Sequence, residues 1–165
     1  MNERDTPPLP PTAELAEACG PADANGWSLR ALRGATTVSA NTAEAIGEAV
    51  AELIEELVQR NGLEGDKVLS VTFSVTADLD ACFPAAIARR RADWGAVALL
   101  DCQQMAVAGD LSRCIRLLAH AWLPRQRPVA HIYLRDAARL RPDRVAPRSE
   151  EHTSELQSRQ YLVCR

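Results

Sequence analysis

The clearest periodic pattern in the sequence lies between residues 41 and 62. Four apolar residues recur there at intervals of four, three and four positions, which places them on one side of an α-helix; they are Ile46, Val50, Leu53 and Leu57. Asn41 and Glu44 have the spacing of a helix N-cap and the third helical residue, and Gly62 suits the C-terminal end. We therefore predict one amphipathic helix that covers a sheet with its apolar side.

Shorter segments carry the signals of β-strands. Apolar residues alternate with Ser and Thr over Leu69–Val75, as in a strand with one buried face. Val129–Leu134 also alternates, and Ala96–Leu100 is a continuous apolar run that is typical of a buried strand. Ser28–Arg33 is a short β-like run, whereas Leu111–Trp122 fits a helix in its first half and either structure in its second.

Pro84 adds a shorter helix to this pattern, because proline suits the first turn of a helix. Together the elements indicate an α+β fold in which a mixed β-sheet packs against one long helix. A chain of 165 residues suits a single domain of this kind. We assign that domain to residues 27–147.

The two ends of the chain differ in composition from this domain. Residues 1–26 combine a proline cluster, excess acid and few large apolar residues, so we expect a disordered N-terminal extension. Residues 148–158 read RSEEHTSELQS, which resembles the translation of a sequencing-library adapter. We therefore expect residues 148–165 to be an assembly artefact and leave them out of the fold prediction. A genuine polar tail is the alternative.

The charge of the chain argues against several classes of partner. The net charge is −3, and residues 27–147 hold 15 basic and 14 acidic residues. A domain so close to neutral has no general attraction for nucleic acid or an anionic membrane. Lys67 is the only lysine, and arginine is the side chain suited to bidentate recognition of carboxylates or phosphates. A GC-rich coding sequence would explain the same bias.

The cysteines indicate the compartment. They are odd in number and contain no CxxC pair, which argues against a disulfide framework or a structural zinc site: Cys19, Cys82, Cys102, Cys114 and Cys164. We expect a protein with reduced thiols in the cytosol. No apolar stretch is long enough to span a bilayer, and the N-terminus lacks the basic and apolar regions of a signal peptide.

Five short motifs fall in the order and at nearly the spacing found in one enzyme family. They are Arg33–Val38 (RGATTV), Phe83–Ala85 (FPA), Cys114–Arg116 (CIR), His131–Leu134 (HIYL) and Leu140–Asp143 (LRPD). Each motif is weak alone, but five in register argue against a chance match. Over about residues 28–144 the chain resembles the monofunctional trimeric chorismate mutases.

The resemblance implies a homotrimer with a pseudo-α/β-barrel core and three active sites at the subunit interfaces. It also implies conversion of chorismate to prephenate, a step in the biosynthesis of aromatic amino acids. This Claisen rearrangement breaks a C–O bond as it forms a C–C bond within one molecule, so it needs no nucleophile, metal or redox cofactor. Catalysis would rest on positioning the substrate and stabilising negative charge at the ether oxygen.

The resemblance also implies roles for individual residues. Arg116 matches the arginine at the ether oxygen and the enolpyruvyl carboxylate, and Arg33 and Tyr133 match residues that contact the enolpyruvyl group. The remaining expected substrate contacts are Phe83, Ala85 and Arg89, which the resemblance places in the neighbouring subunit, and Leu100, Leu140 and Arg141. Three nearby charged residues are expected to be outside the site, as solvated helix charges or a turn residue: Arg90, Arg91 and Asp143.

Two positions depart from the family pattern. Gln104 stands where the family usually has a glutamate that contacts the ring hydroxyl of the substrate, so a negative charge and its stronger hydrogen bond are lost. Three residues earlier, Asp101 replaces a cysteine or small residue. One hypothesis is that Asp101 supplies the missing carboxylate, with support from Gln104. The alternative is that Asp101 only caps the following turn.

These departures leave two other functions open. One is a divergent paralogue that binds chorismate with weak or no mutase activity, and the other is a purely structural trimer. Retention of Arg33, Arg116 and Tyr133 argues against the structural trimer, because a scaffold does not need converging cations and a phenol. An assay of chorismate turnover separates the mutase from the paralogue.

Overall fold

A computed structural model of the protein describes residues 26–142. The expected N-terminal extension lies outside the described residues, apart from Gly26, and so do Asp143 and the 148–165 tail. Gly26 already belongs to the fold, because its carbonyl accepts a hydrogen bond from the backbone N–H of Arg125 (2.9 Å).

Five strands form one mixed sheet. They are β1 (Trp27–Thr37), β2 (Val68–Val75), β3 (Ala98–Gln103), β4 (Cys114–Pro124) and β5 (Ile132–Tyr133). Across the sheet their order is β3-β2-β4-β1-β5. The central strand β4 is antiparallel to β1 and β2, whereas the edge strands β3 and β5 run parallel to the strands they join. The predicted α+β fold with a mixed sheet is confirmed.

One long helix, α1 (Ala43–Asn61), packs against this sheet. All four apolar residues of the predicted stripe are buried in it: Ile46, Val50, Leu53 and Leu57. Gly62 ends the helix in the left-handed conformation (φ 54°), as the sequence predicted. A second helix, α2 (Pro84–Ala88), is a single short turn that begins at the predicted proline.

The predicted N-cap of α1 is wrong by one residue. Thr42, not Asn41, caps the helix, with its hydroxyl accepting the N–H of Ala45 (3.2 Å). Asn41 instead binds the loop after β2. Its amide donates to the Asp80 carboxylate (2.7 Å) and its carbonyl accepts the N–H groups of Asp80 and Ala81. Asn41 therefore forms long-range hydrogen bonds in place of the helix cap that the local pattern predicted.

Two strand predictions also need correction. Leu111–Trp122 contains no helix, and β4 occupies it from Cys114 onward, because pairing with both β1 and β2 decides its conformation. The run Ala96–Leu100 is not a buried strand that ends before Asp101. The strand β3 extends through Gln103 at the edge of the sheet, where Leu100 is 60% exposed.

Helix α1 covers one face of the sheet and leaves the other uncovered. The side chains of Leu32, Phe73 and Leu117 pack into the buried core beneath α1. The opposite face carries no helix in the part of the chain that the structure describes, and three apolar side chains are exposed to solvent there, Leu29 (47%), Leu118 (40%) and Leu100 (60%). We call it the open face.

Candidate active site

Strand register places predicted site residues in one row across the open face. Arg116 of β4 pairs with Ala35 of β1, and Ala35 pairs with Tyr133 of β5. Because paired residues on neighbouring strands point to the same face, Arg116 and Tyr133 share the face opposite α1. Arg33 precedes Ala35 by two residues on β1, so it shares this face as well.

A cavity of about 200 Å³ lies among these side chains. Five predicted site residues line it: Arg33, Arg116, Tyr133, Leu140 and Arg141. The structure therefore brings together the arginine, tyrosine and C-terminal motifs that are far apart in the sequence. The cavity is smaller than the roughly 300–1,000 Å³ of typical small-molecule sites.

Tyr133 is held in place by the end of α1. The buried side chain of Asn61 donates to the carbonyl of Ala130 (2.9 Å) and accepts its N–H (2.8 Å). Next along the chain, His131 accepts the backbone N–H of Arg33 through Nδ1 (3.1 Å). These contacts fix the segment before β5 and set Tyr133 beside β1.

Arg135 fixes the segment that carries Leu140 and Arg141. It begins a 3-10 turn, Arg135–Leu140, with a positive φ of 52°, which is costly for a residue other than glycine. Its guanidinium pairs with Glu52 of α1 (2.7 Å) and donates to the carbonyl of Thr37 (3.1 Å). Helix and sheet therefore both hold the turn that leads to the cavity.

Three site residues bury polar atoms that have no hydrogen-bond partner. These atoms are Arg116 Nε, the Tyr133 hydroxyl and Gln104 Oε1, and within residues 26–142 only Ser28 Oγ and Trp94 Nε1 share this state. A buried polar group without a partner costs about 1–3 kcal/mol. Two of these atoms belong to residues that line the cavity, Arg116 and Tyr133, and the third belongs to Gln104 beside it.

A residue that sequence reasoning missed links two of these groups. Asp110, in the loop between β3 and β4, accepts from Arg116 Nη2 through Oδ1 (2.7 Å) and from Gln104 Nε2 through Oδ2. Gln104 and Asp110 line a neighbouring cavity of about 400 Å³ and not the one with Tyr133. The one available signal was that Asp110 is the only carboxylate between Asp101 and Arg116.

Asp101 lies on the other face of the sheet, away from Arg116 and Gln104. It pairs with Phe73, whose side chain packs under α1, so register directs Asp101 to the face opposite that of Arg116. Its carboxylate accepts the backbone N–H of Ala85 in α2 (3.0 Å). Burial raises the pKa of Asp101, against the opposing effects of that N–H and of the Arg89 charge. Asp101 thus binds the N-terminal turn of α2, which precedes it in the chain, and not the following turn that the alternative hypothesis named.

The expected substrate contacts Phe83, Arg89 and Leu100 form a second group at the other edge of the sheet. Phe83 is 72% exposed and lines a cavity of about 340 Å³ with Asp101, and Arg89 is exposed at the end of α2. Leu100 lies on the open face in the same row as Arg33, three strand spacings or roughly 14 Å away. One chain does not bring the two groups together.

Arg91 corrects another expectation, since it is not a solvated helix charge. It forms ion pairs with Glu55 of α1 (3.0 Å) and with Asp93 (3.2 Å), and it stacks over the Trp94 ring at 5.4 Å. These contacts join the end of α2 to α1. Arg90 is exposed, as expected.

Residues 26–142 contain neither a helix that could span a membrane nor a group of side chains that could hold a metal ion. Within residues 26–142 no helix has the length and apolar character needed to cross a bilayer. The same range contains no group of three or more His, Cys, Asp or Glu residues placed to hold a metal ion. Of its cysteines, Cys114 is buried beside Arg116, and burial raises the pKa of its thiol.

Comparison with known proteins decides the family. A family profile described as chorismate mutase type I matches residues 29–144, which include both groups of site residues. This chain belongs to the type I chorismate mutase family. A chorismate mutase AroH from Thermus thermophilus is 43% identical over 119 residues, covering 70% of this chain and 95% of the relative.

Other type I chorismate mutases agree in sequence and in fold. A chorismate mutase AroH from Bacillus subtilis is 36% identical over 117 residues, covering 70% of this chain and 91% of that protein. The solved structure of a chorismate mutase from Clostridium thermocellum has a TM-score of 0.60 and 41% identity, covering 66% of this chain and 96% of that one. The described domain is therefore nearly the full length of these mutases.

Proposed function

We propose that this protein is a chorismate mutase that rearranges chorismate to prephenate at a site built around Arg116. The observation that carries the proposal is the set of buried polar atoms without partners on Arg116, Tyr133 and Gln104. These are residues to which the family resemblance gives substrate contacts. The relatives are all named as mutases, which favours catalysis over the paralogue that only binds chorismate.

Arg116 is the proposed source of transition-state stabilisation. Its guanidinium is anchored at Nη2 by Asp110, and its buried Nε–H has no hydrogen-bond partner among the described residues. Negative charge grows on the ether oxygen of chorismate as its C–O bond breaks. A fixed cation at that oxygen stabilises the transition state more than the ground state, so it accelerates the reaction.

Arg33 and Tyr133 are the proposed partners of the enolpyruvyl group. Both line the cavity with Arg116, so a carboxylate in the cavity would meet two cations and a phenol. Holding the enolpyruvyl group over the ring removes part of the entropic barrier to an intramolecular reaction. Leu140 and Arg141 would close the cavity above it.

The complete site is proposed to form between subunits of a homotrimer with a pseudo-barrel core. The open face exposes Leu29, Leu100 and Leu118, which a second copy of the chain would bury. Phe83, Ala85 and Arg89 would then approach the Arg116 cavity from the neighbouring copy. This arrangement is supported by the separation of the two residue groups within one chain. We also place the trimer in the cytosol, as the cysteine set indicates.

Turnover of chorismate tests the proposal. The loss of chorismate is followed by ultraviolet absorbance, and prephenate is identified by its conversion to phenylpyruvate in acid. Arg116→Ala is expected to lower kcat by about 10²- to 10³-fold, because one donor at the developing charge is lost. The control is Arg60→Ala, which removes only an exposed pair with Glu56 on α1. Binding of chorismate without turnover by the wild-type protein would reject the mutase and favour the paralogue.

A further inference from the structure

Asp110 uses both carboxylate oxygens in the loop between β3 and β4. Oδ1 accepts from Arg116 Nη2 (2.7 Å) and from the backbone N–H of Leu111 (2.8 Å), and Oδ2 accepts from Gln104 Nε2. The side chains of Asp110 and Arg116 are only 22% and 31% exposed. Solvent and salt therefore screen this ion pair less than a pair on the surface.

The carboxylate fixes the orientation of the Gln104 amide. An ionised carboxylate can only accept hydrogen bonds, so Gln104 must turn its NH₂ group toward Asp110. Its Oε1 then has to face the other way, where it is buried without a partner. Asp110 thereby fixes which of two possible orientations the Gln104 amide adopts, and so where its acceptor oxygen lies.

The same carboxylate fixes the orientation of Arg116. The planar guanidinium is bound at Nη2 on one side, so the position of its Nε–H is determined by the ion pair. That Nε–H is the buried donor without a partner. One loop residue therefore orients an acceptor and a donor that both lack a hydrogen-bond partner among the described residues.

We infer that Asp110 is a positioning residue that replaces the carboxylate lost at Gln104. The inference rests on the proposed function. The family resemblance implies that a glutamate at the Gln104 position would supply the acceptor and the charge together. Here the functions are divided: Gln104 presents the acceptor to the ring hydroxyl, and Asp110 provides the negative charge that orients Gln104 and Arg116.

The geometry favours Asp110 over Asp101 for this role. Asp101 points to the α1 face and is engaged by the N–H of Ala85. Asp110 contacts Arg116 and Gln104 directly within one chain. The hypothesis of Asp101 as the compensating carboxylate is therefore replaced by one that needs no movement of a strand.

Four proteins test the inference: the wild type, Asp110→Asn, Gln104→Glu and the double variant. In Asp110→Asn only one accepting oxygen remains in the side chain, so either Gln104 or Arg116 loses its acceptor and its orientation, and kcat/KM is expected to fall about 10- to 100-fold. Gln104→Glu alone places a second carboxylate next to that of Asp110, and because the two repel each other this variant is also expected to be less active. In the double variant the introduced glutamate restores one carboxylate beside Arg116.

Rescue separates positioning from a merely structural role. The double variant is expected to recover most of the kcat/KM that Asp110→Asn loses. The matched control is Asp78→Asn, because Asp78 tethers the same loop through the N–H of Arg113 without touching Arg116. It should lower the melting temperature while leaving kcat unchanged. The inference is overturned if Asp110→Asn keeps wild-type kcat/KM, if the double variant is no better than it, or if Asp78→Asn loses as much activity.

Turnover measured for the wild-type protein separates a failure of the proposed function from a failure of the inference about Asp110. If the wild type does not turn over chorismate, the proposed function fails, and the affinity of the same four proteins for chorismate, measured by calorimetry, decides the role of Asp110. Weaker binding by Asp110→Asn that recovers in the double variant would support it. Equal or absent binding in all four would overturn it.

Discussion

The Tyr133 hydroxyl is buried and has no hydrogen-bond partner, so it costs the folded protein energy. Tyr133→Phe should therefore leave the free energy of unfolding unchanged or raise it, by up to about 1–3 kcal/mol, while kcat/KM for chorismate falls. Urea denaturation and steady-state kinetics measure the two effects. A variant that lost stability would show that the hydroxyl is satisfied within the protein and not reserved for a ligand.

The ionisation of Asp78 makes the stability of the folded protein depend on pH. The Thr76 hydroxyl and the Arg113 N–H donate to its carboxylate, and these bonds hold the pKa of Asp78 below its ordinary value. A lowered pKa stabilises the fold above the ordinary value of 3.8, and the stabilisation is lost as the pH falls through the folded-state pKa.

Asp78→Asn should therefore be less stable than the wild type at pH 7, and the difference should shrink as the pH falls below about 4. Urea midpoints measured between pH 7 and pH 3 test this. A difference that stayed constant over the whole range would show that the charge of Asp78 contributes nothing.

Residues in motifs could be proposed for the site from sequence, whereas a residue whose contacts are tertiary could not. Arg33, Arg116 and Tyr133 were each marked by their neighbours in the chain, and the structure places all three around one cavity. Asp110 has no such marker. Its role depends on the path of the loop, which brings its carboxylate between Gln104 and Arg116.

At the scale of elements, α1 packs closely against the sheet at Gly34. A Cβ at this position would lie 3.0 Å from Leu117 Cγ and 3.1 Å from Leu53 Cδ1, so the packed Leu117 and Leu53 side chains would have to shift. Gly34→Ala is expected to destabilise the fold by about 1–3 kcal/mol.

Gly47, inside α1, is the matched control for this substitution. Its added Cβ would lie 3.7 Å from Ile87 Cδ1, which is an ordinary contact, and alanine is a better helix former by about 1 kcal/mol. Gly47→Ala should therefore raise the melting temperature and Gly34→Ala should lower it. Shifts of the same sign would contradict the close approach of α1 and β1.

Elements with a strong local period were predicted well, and elements decided by pairing were not. The stripe of α1 follows from one buried side, which the sequence records directly. The alternation of β2 does so for Val71 and Phe73, whereas Leu69 is 42% exposed next to a register shift between Val68 and Ser70. The helix-like spacing at the start of β4 was overridden because two neighbouring strands supply its hydrogen bonds. The exposure of β3 could not be read from its apolar run, since that run fits burial against another copy as well as in a core.

For the whole molecule, the open face and the divided site lead to one expectation about assembly. In the proposed trimer each site takes Arg116 from one subunit and Arg89 from the next. Arg116→Ala and Arg89→Ala should each be nearly inactive alone. After the two variants are unfolded together and refolded, mixed trimers contain some sites with both arginines, so activity should return.

Recovered activity in the mixture, with a trimer mass from light scattering, tests this expectation. Refolding each variant separately and then combining the products is the control, because subunits that have not exchanged cannot complete a site. If the mixture were no more active than the sum of its parts, each site would have to lie within one chain.

The central position of β4 also determines when the protein stops working as it is heated. Its backbone amides are hydrogen-bonded to strands on both sides, so they exchange with deuterium only when the whole domain opens. Arg116 is carried by this strand and not by a loop or an edge. The proposed catalytic cation is thus attached to the last part of the molecule to unfold, and heat inactivation should coincide with global melting.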